Sequence, residues 1–289
     1  MFGASGDLFV YPTPPDTLMA LQPRSNYIIS RFWDRCNFST AFKDTDKLNV
    51  AFGDWAVIMP YASADTVFSS IDRLLARFDK KGPETLILAN MAENWFYSDS
   101  SELHSPDVYL PFAKAAAKHK KISKIDRARF EAQVKIIESS SVGARVPDDL
   151  PFIGADGSNG TFGDFHGGSI LLFFSEPDCM DCNFSRIRLS ADPNTRELIE
   201  RHELTIVNIY PGSTNDDAWA KTVAEAPDGW ITVAMPSASE YFELRHFPLF
   251  IYLNSRHRVL ANDMGIDYLL NAFLMANMSS KSKPQTTNQ

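Results

Sequence analysis

The chain has 289 residues, 44% of them hydrophobic and 22% charged, with three cysteines; this length supports two ordinary domains with separate cores, and three cysteines exclude a disulfide-scaffolded fold. No run of about 18 apolar residues occurs, which excludes a membrane-spanning helix, and the start at Met1-Phe2-Gly3 has neither a charged nor an apolar leader region, so no secretory signal is expected in this numbering. The net charge of −8 is uneven, with 18 Lys+Arg against 17 Asp+Glu in residues 1–145 and 10 against 19 in residues 146–289, a balance that excludes a nucleic-acid footprint.

In chain order, residues 1–23 carry Pro12, Pro14, Pro15 and Pro23 and read as an extended lead-in. A helical module is expected over 24–141. Tyr27 to Cys36 reads as its first helix. Ser63 or Asp65 then caps a helix with apolar positions Val67, Ile71, Leu74, Leu75 and Phe78 at three- and four-residue spacing, stopped at Gly82-Pro83. Another starts at Pro83, a third at Ser105-Pro106, where Pro occupies the first turn, and a fourth carries Ile125, Ala128, Ala132 and Ile136. The basic cluster Lys118 to Lys121 with Lys124 falls at a helix end, where cations complement the dipole. Phe32, Trp33, Phe38, Phe42, Phe52 and Trp55 crowd one stretch; roughly helical spacing makes them core rather than a ligand cage.

The polar stretch from Ser139 to Pro147 separates this module from a second one over 142–279. Asp156-Gly157 and Asn159-Gly160 predict a hairpin between short apolar pieces rather than a nucleotide loop, because no strand leads into the glycines and no helix follows them. Ile170 to Phe174 reads as a buried strand that runs into Cys179-Met180-Asp181-Cys182 and a helix. Near a helix N-terminus, unpaired N–H groups favour a thiolate, so the pair is a candidate redox site. Two other readings stay open. A Cys-x-x-Cys pair can be half of a zinc site, but Cys36 is far upstream and His166, His202, His246 and His257 lack ligand spacing, so no metal is expected. Alternatively, the cysteines are inert core residues.

Beyond the cysteines, Leu204 to Tyr210 and Trp230 to Met235 read as strands around a helix capped by Asp216 or Asp217. A helix from Ser239 to Leu244 leads to Phe247-Pro248, strands Leu249 to Leu253 and Arg258 to Ala261 follow, and Ile266 to Met278 makes a terminal helix before a disordered tail at 280–289. Alternating strands and helices with a closing hairpin and helix predict an α/β fold, a mixed sheet flanked by helices, preceded by an all-α domain.

The order strand, CxxC, helix, strand, helix, strand, helix, X-Pro, two strands, helix resembles the thioredoxin fold, and the pieces from Leu204 to Met235 resemble the inserted element of envelope thiol–disulfide oxidoreductases of the TlpA and ResA type. Residues 14–18 (Pro-Pro-Asp-Thr-Leu) and 24–38 are similar to the uncharacterised helical domain that precedes such modules in lipoproteins of gut anaerobes. The resemblance implies that Cys179 attacks and Cys182 resolves, that Pro248 is the cis-proline, and that Phe247 offers backbone groups to substrate. It also implies a periplasmic or envelope location, a lipid-anchored association with a membrane, a protein disulfide substrate and an upstream electron donor, without a cofactor. The chain departs from the pattern at Asp178, at Met180-Asp181, and at Phe173 and Ser185, where the family's buried acid and post-cysteine Glu are missing.

The reading that follows is a thiol–disulfide oxidoreductase. Glu176, Asp178 and Asp181 surround the site with negative charge, with Arg186 as a partial offset, and this disfavours the thiolate and points to a reductase. The alternative is a non-catalytic thioredoxin-fold binding or sensing protein whose helical domain recognises a partner.

Overall fold

The structure, a computed structural model, describes residues 8–98 and 100–281, so the expected tail lies outside it beyond residue 281. The chain divides into two compact units, 1–134 and 135–289.

The first unit is helical: α1 (Leu21–Arg31), α2 (Phe38–Ala41), α3 (Thr45–Ala56), α4 (Ala64–Ala76), α5 (Gly82–Phe96), α6 (Pro106–Lys118) and the beginning of α7 (Lys124–Ser140). α1 begins six residues before the expected Tyr27 and ends before Cys36; Pro23 sits in its first turn, where the missing N–H has no intrahelical role. α3 was not expected, although its signal is legible: the Asp44 carboxylate accepts from the Lys47 N–H. α6 places Pro106 in its first turn after Ser105 and ends at Lys118 within the basic cluster. Of the six crowded aromatics, Phe32, Trp33, Phe52 and Trp55 are buried, and Phe38 and Phe42 are half-buried with their rings edge-on to Phe78. Edge-to-face contacts such as Phe52 on Trp55, 5.4 Å between centroids, identify them as core.

The second unit is a seven-stranded mixed sheet. Its strands are β1 (Pro151–Gly154), β2 (Asn159–Thr161), β3 (Ser169–Phe174), β4 (Leu204–Tyr210), β5 (Ile231–Ala234), β6 (Leu249–Leu253) and β7 (Val259–Asn262), in the order β2-β1-β5-β4-β3-β6-β7. β1 and β2 form the expected antiparallel hairpin. The inner strand β3 runs parallel to β4 and antiparallel to β6. It is apolar throughout because both faces are covered: Ile170, Leu172 and Phe174 pack into one core with Val207, Ile209 and Ile251, while Leu171 and Phe173 pack into the other with Leu189, Leu198 and Phe273.

Helices α8 (Met180–Ala191), α9 (Pro193–Glu200), α10 (Asp217–Ala224) and α11 (Ile266–Lys281) complete the unit. Two expectations need correction. The segment after Cys182 is two helices, divided where Asp192 caps the Thr195 N–H and Pro193 takes the first position of α9. The helix expected over Ser239–Leu244 is a single 3₁₀ turn, Ala238–Glu240, and Phe242 just beyond it is buried in the core. α11 continues to Lys281, two residues into the expected tail.

Candidate functional site

The site forms where the C-terminal end of β3 delivers the chain into α8. Asp178 adopts a left-handed backbone (φ 63°), a conformation Asp tolerates better than most side chains, and it turns the chain so that Cys179 becomes the N-cap of α8. The Cys182 N–H points at Cys179 Sγ at 3.1 Å, and the two cysteines are joined by a disulfide. Their exposures differ. Cys182 is fully buried beside Phe173, Leu189 and Phe250, whereas Cys179 is half-buried and reachable from solvent.

Opposite the pair, the Phe247–Pro248 peptide is cis, and the Phe247 carbonyl oxygen lies 3.7 Å from Cys179 Sγ. The loop is anchored because Phe247 packs against both cores and the chain passes directly into β6. An extended segment laid along this loop would meet backbone polar groups beside the accessible sulfur.

The charged residues are distributed differently from the expected collar. Glu176, Asp178 and Asp181 are all exposed near the pair. Asp178 is taken up by Lys221 of α10, 2.8 Å away, and that carboxylate raises the Lys221 pKa. Glu176 lies near Tyr210, whose hydroxyl donates to Asp216 at 2.9 Å; burial, that hydrogen bond and the neighbouring carboxylates push Tyr210 up to about 12. Arg186 faces inward, buried, with its guanidinium on Glu225 at 2.7 Å.

Sequence reasoning missed Lys221, Glu225 and Asn208. The first two lie about 40 residues from their partners, and no local spacing signals such pairs. Asn208 did carry a signal, as the polar residue inside the apolar run Leu204–Tyr210. It is buried next to Phe173 in the sheet register, accepts from the Ser175 hydroxyl at 2.7 Å, and neighbours Thr232 on β5. Phe173 is stacked on Phe250 (5.1 Å between centroids) with Trp230 edge-on, so an aromatic cluster packs around Cys182 where the resemblance expects an acid. Among the described residues, no group of three or more His, Cys, Asp and Glu side chains could hold a metal ion, and no helix is long and apolar enough to cross a membrane.

The sheet order, the Cys-x-x-Cys at the start of α8 and the facing proline loop define a thioredoxin-like fold behind an all-helical domain. In the helical part, residues 4–140 match the family model described as Domain of unknown function (DUF5106). Among solved structures, a thioredoxin-like protein from Bacteroides caccae is similar along almost the whole chain, with 22% identity, a TM-score of 0.71, and coverage of 92% of this chain and 98% of the other. The thioredoxin domain of a thiol-disulfide oxidoreductase from Bacteroides vulgatus is 19% identical over 47% of this chain and 97% of its own, with a TM-score of 0.40. A conserved protein of unknown function from Bacteroides fragilis is 25% identical over 46% of this chain and 98% of its own, with a TM-score of 0.42. No curated protein matches the chain.

Proposed function

We propose that this protein is a thiol–disulfide oxidoreductase of the cell envelope that reduces protein disulfides through Cys179 and Cys182. In this reading residues 142–279 form the redox module, and residues 24–141 a helical domain attached to it. The observation that carries it is the asymmetry of the pair. The accessible sulfur caps a helix and receives the Cys182 N–H, while its partner is buried one turn away.

In the reduced form, the Cys179 thiolate attacks one sulfur of a substrate disulfide. The substrate S–S bond breaks, the departing sulfur takes a proton, and a mixed disulfide forms. Cys182 then gives up its proton and attacks Cys179 Sγ, which closes the intramolecular disulfide and releases the second substrate thiol. The cysteine pair loses two electrons to the substrate, which also gains two protons, one given up by Cys182 and one from the solvent that took the Cys179 proton on ionisation; an upstream dithiol donor restores the reduced state. The helix N-terminus stabilises the thiolate. Glu176 and Asp181 oppose it, and Asp178 does so less because Lys221 neutralises it. A less stabilised thiolate corresponds to a more reducing couple, nearer about −270 mV than about −120 mV.

One observation favours the non-catalytic reading: Cys182 is fully buried in an apolar cluster with Phe173, Leu189 and Phe250. Equilibration with a glutathione redox buffer separates the two. A reversible transition of the Cys179–Cys182 pair below about −200 mV supports a reductase. A pair that cannot be reduced and reoxidised in the folded protein rules out catalysis.

A further inference from the structure

Helix α8 is amphipathic in the wrong sense for a surface helix. Its buried positions are Cys182, Ser185, Arg186 and Leu189, while its exposed positions include Met180, Phe184 and Ile187, which are 82%, 56% and 66% exposed. With the exposed Ala191 these residues follow at i, i+4, i+7 and i+11, one continuous apolar stripe about 16 Å long. A surface helix ordinarily turns its apolar stripe to the core, and an ordered exposed stripe marks a surface that is covered in use. The Phe184 ring is also held in place: the Arg188 guanidinium lies over it at 5.4 Å from the centroid and is itself fixed by Asp267 at 2.7 Å.

The position of the stripe identifies what covers it. Met180 stands between the two cysteines, so a molecule that brings a sulfur to Cys179 meets Met180 first and, continuing along the helix, Phe184 and Ile187. The charge around the cysteine end is acidic: Asp181 and Glu176 are exposed and make no ion pair among the described residues. Residues 146–289 as a whole hold 19 acidic against 10 basic side chains. A second copy of this chain would bring like charges together at the same point, and an anionic lipid surface would be repelled. We infer that the exposed face of α8 is the docking surface for the disulfide-bearing partner protein, and that it selects partners whose cysteine is followed by an apolar segment with basic residues beside it. This rests on the proposed thiol–disulfide function and names its substrate class.

The test uses the full chain and two synthetic peptides, each with one internal disulfide. In one the cysteines are flanked by Phe, Leu and Lys; in the other by Ser and Lys, so that the two differ in apolar character alone. The wild type is expected to reduce the first about tenfold faster, as burial of two large apolar side chains allows. Phe184→Ser with Ile187→Ser should bring the two rates to within about twofold of each other and leave the glutathione equilibrium of the pair unchanged, while Phe184→Leu keeps the preference. A wild type without preference, or a double variant that retains it, overturns the docking surface. A wild-type dimer that the double variant dissociates assigns the stripe to self-association and also overturns it. If the wild type fails to exchange with glutathione at all, it is the proposed function that falls, and the docking inference falls with it.

Discussion

Alkylation of the fully reduced protein at pH 8 should label Cys179 rapidly and leave Cys36 and Cys182 almost untouched. The thiolate is the reacting species, so rate follows ionisation and access. Burial pushes the Cys36 thiol up to about 11 from an ordinary 9.0, with Arg77 opposing only part of the shift. At pH 8 this leaves about one thiolate in a thousand at Cys36, against about one in ten for an unshifted thiol, a rate difference of about a hundredfold before any steric obstruction. Cys182 has no exposed surface. Cys179 is half-buried and caps a helix, so it alone combines access with stabilisation of the anion. Iodoacetamide labelling followed by peptide mapping measures each site, and a pH series adds a second check, because the Cys36 rate should climb steadily until about pH 11. The raised value also sets a sign for stability: the folded state keeps the Cys36 proton to higher pH than the unfolded state does. The stabilisation is therefore complete below about pH 9 and lost as pH rises towards about 11, and a Cys36→Ser protein should lack that alkaline loss. Labelling of Cys36 at the rate of a free thiol, or a plateau near pH 9, would refute the burial argument. Resistance of Cys179 as well would make the pair inert core.

Three further outcomes are expected. Asp178→Asn with Asp181→Asn should lower the Cys179 pKa and make the couple more oxidising, since two carboxylates leave and Lys221 loses its counter-ion; an ultraviolet thiolate titration with a glutathione equilibrium reads both, and an unchanged pKa would mean that the carboxylates do not act on the sulfur. Phe173→Ala should destabilise the fold by about 3–5 kcal/mol in urea denaturation, because a fully buried ring packed on Phe250 and Trp230 leaves a cavity, and a loss under about 1 kcal/mol would contradict that packing. Buried His257 lies 2.9 Å from the Asp148 carboxylate and 2.9 Å from the Phe165 carbonyl, and its hydrogen bond, with help from Arg145, holds Asp148 below its ordinary 3.8. Asp148 thus stabilises the fold above that pH and stops doing so as pH falls through its lowered value; Asp148→Asn should weaken the protein at pH 7 but match wild type in strong acid, and an equal deficit at both pH values would assign the effect to packing.

Much of this architecture was written locally. The run Ile170–Phe174, the Asp-Gly and Asn-Gly turn, the cap at Asp216 and the proline after Ser105 each act over a few residues. Their consequences appear where expected. The two cysteines were equally legible, because their spacing and the strand before them are contiguous in the chain. Where sequence reasoning failed, distance was the cause. Lys221 meets Asp178, and Glu225 takes Arg186, only because α10 folds back beside α8, and ion pairs across about 40 residues leave no periodic trace. The segment from Ser239 to Leu244 was expected as a helix, but the chain makes only a 3₁₀ turn there and buries Phe242 in the core. The exposure of Met180, Phe184 and Ile187 was likewise beyond the sequence, whose apolar periodicity cannot tell which face of a helix meets the core. The sheet decided that by burying Cys182 and Leu189 and leaving the other stripe to solvent.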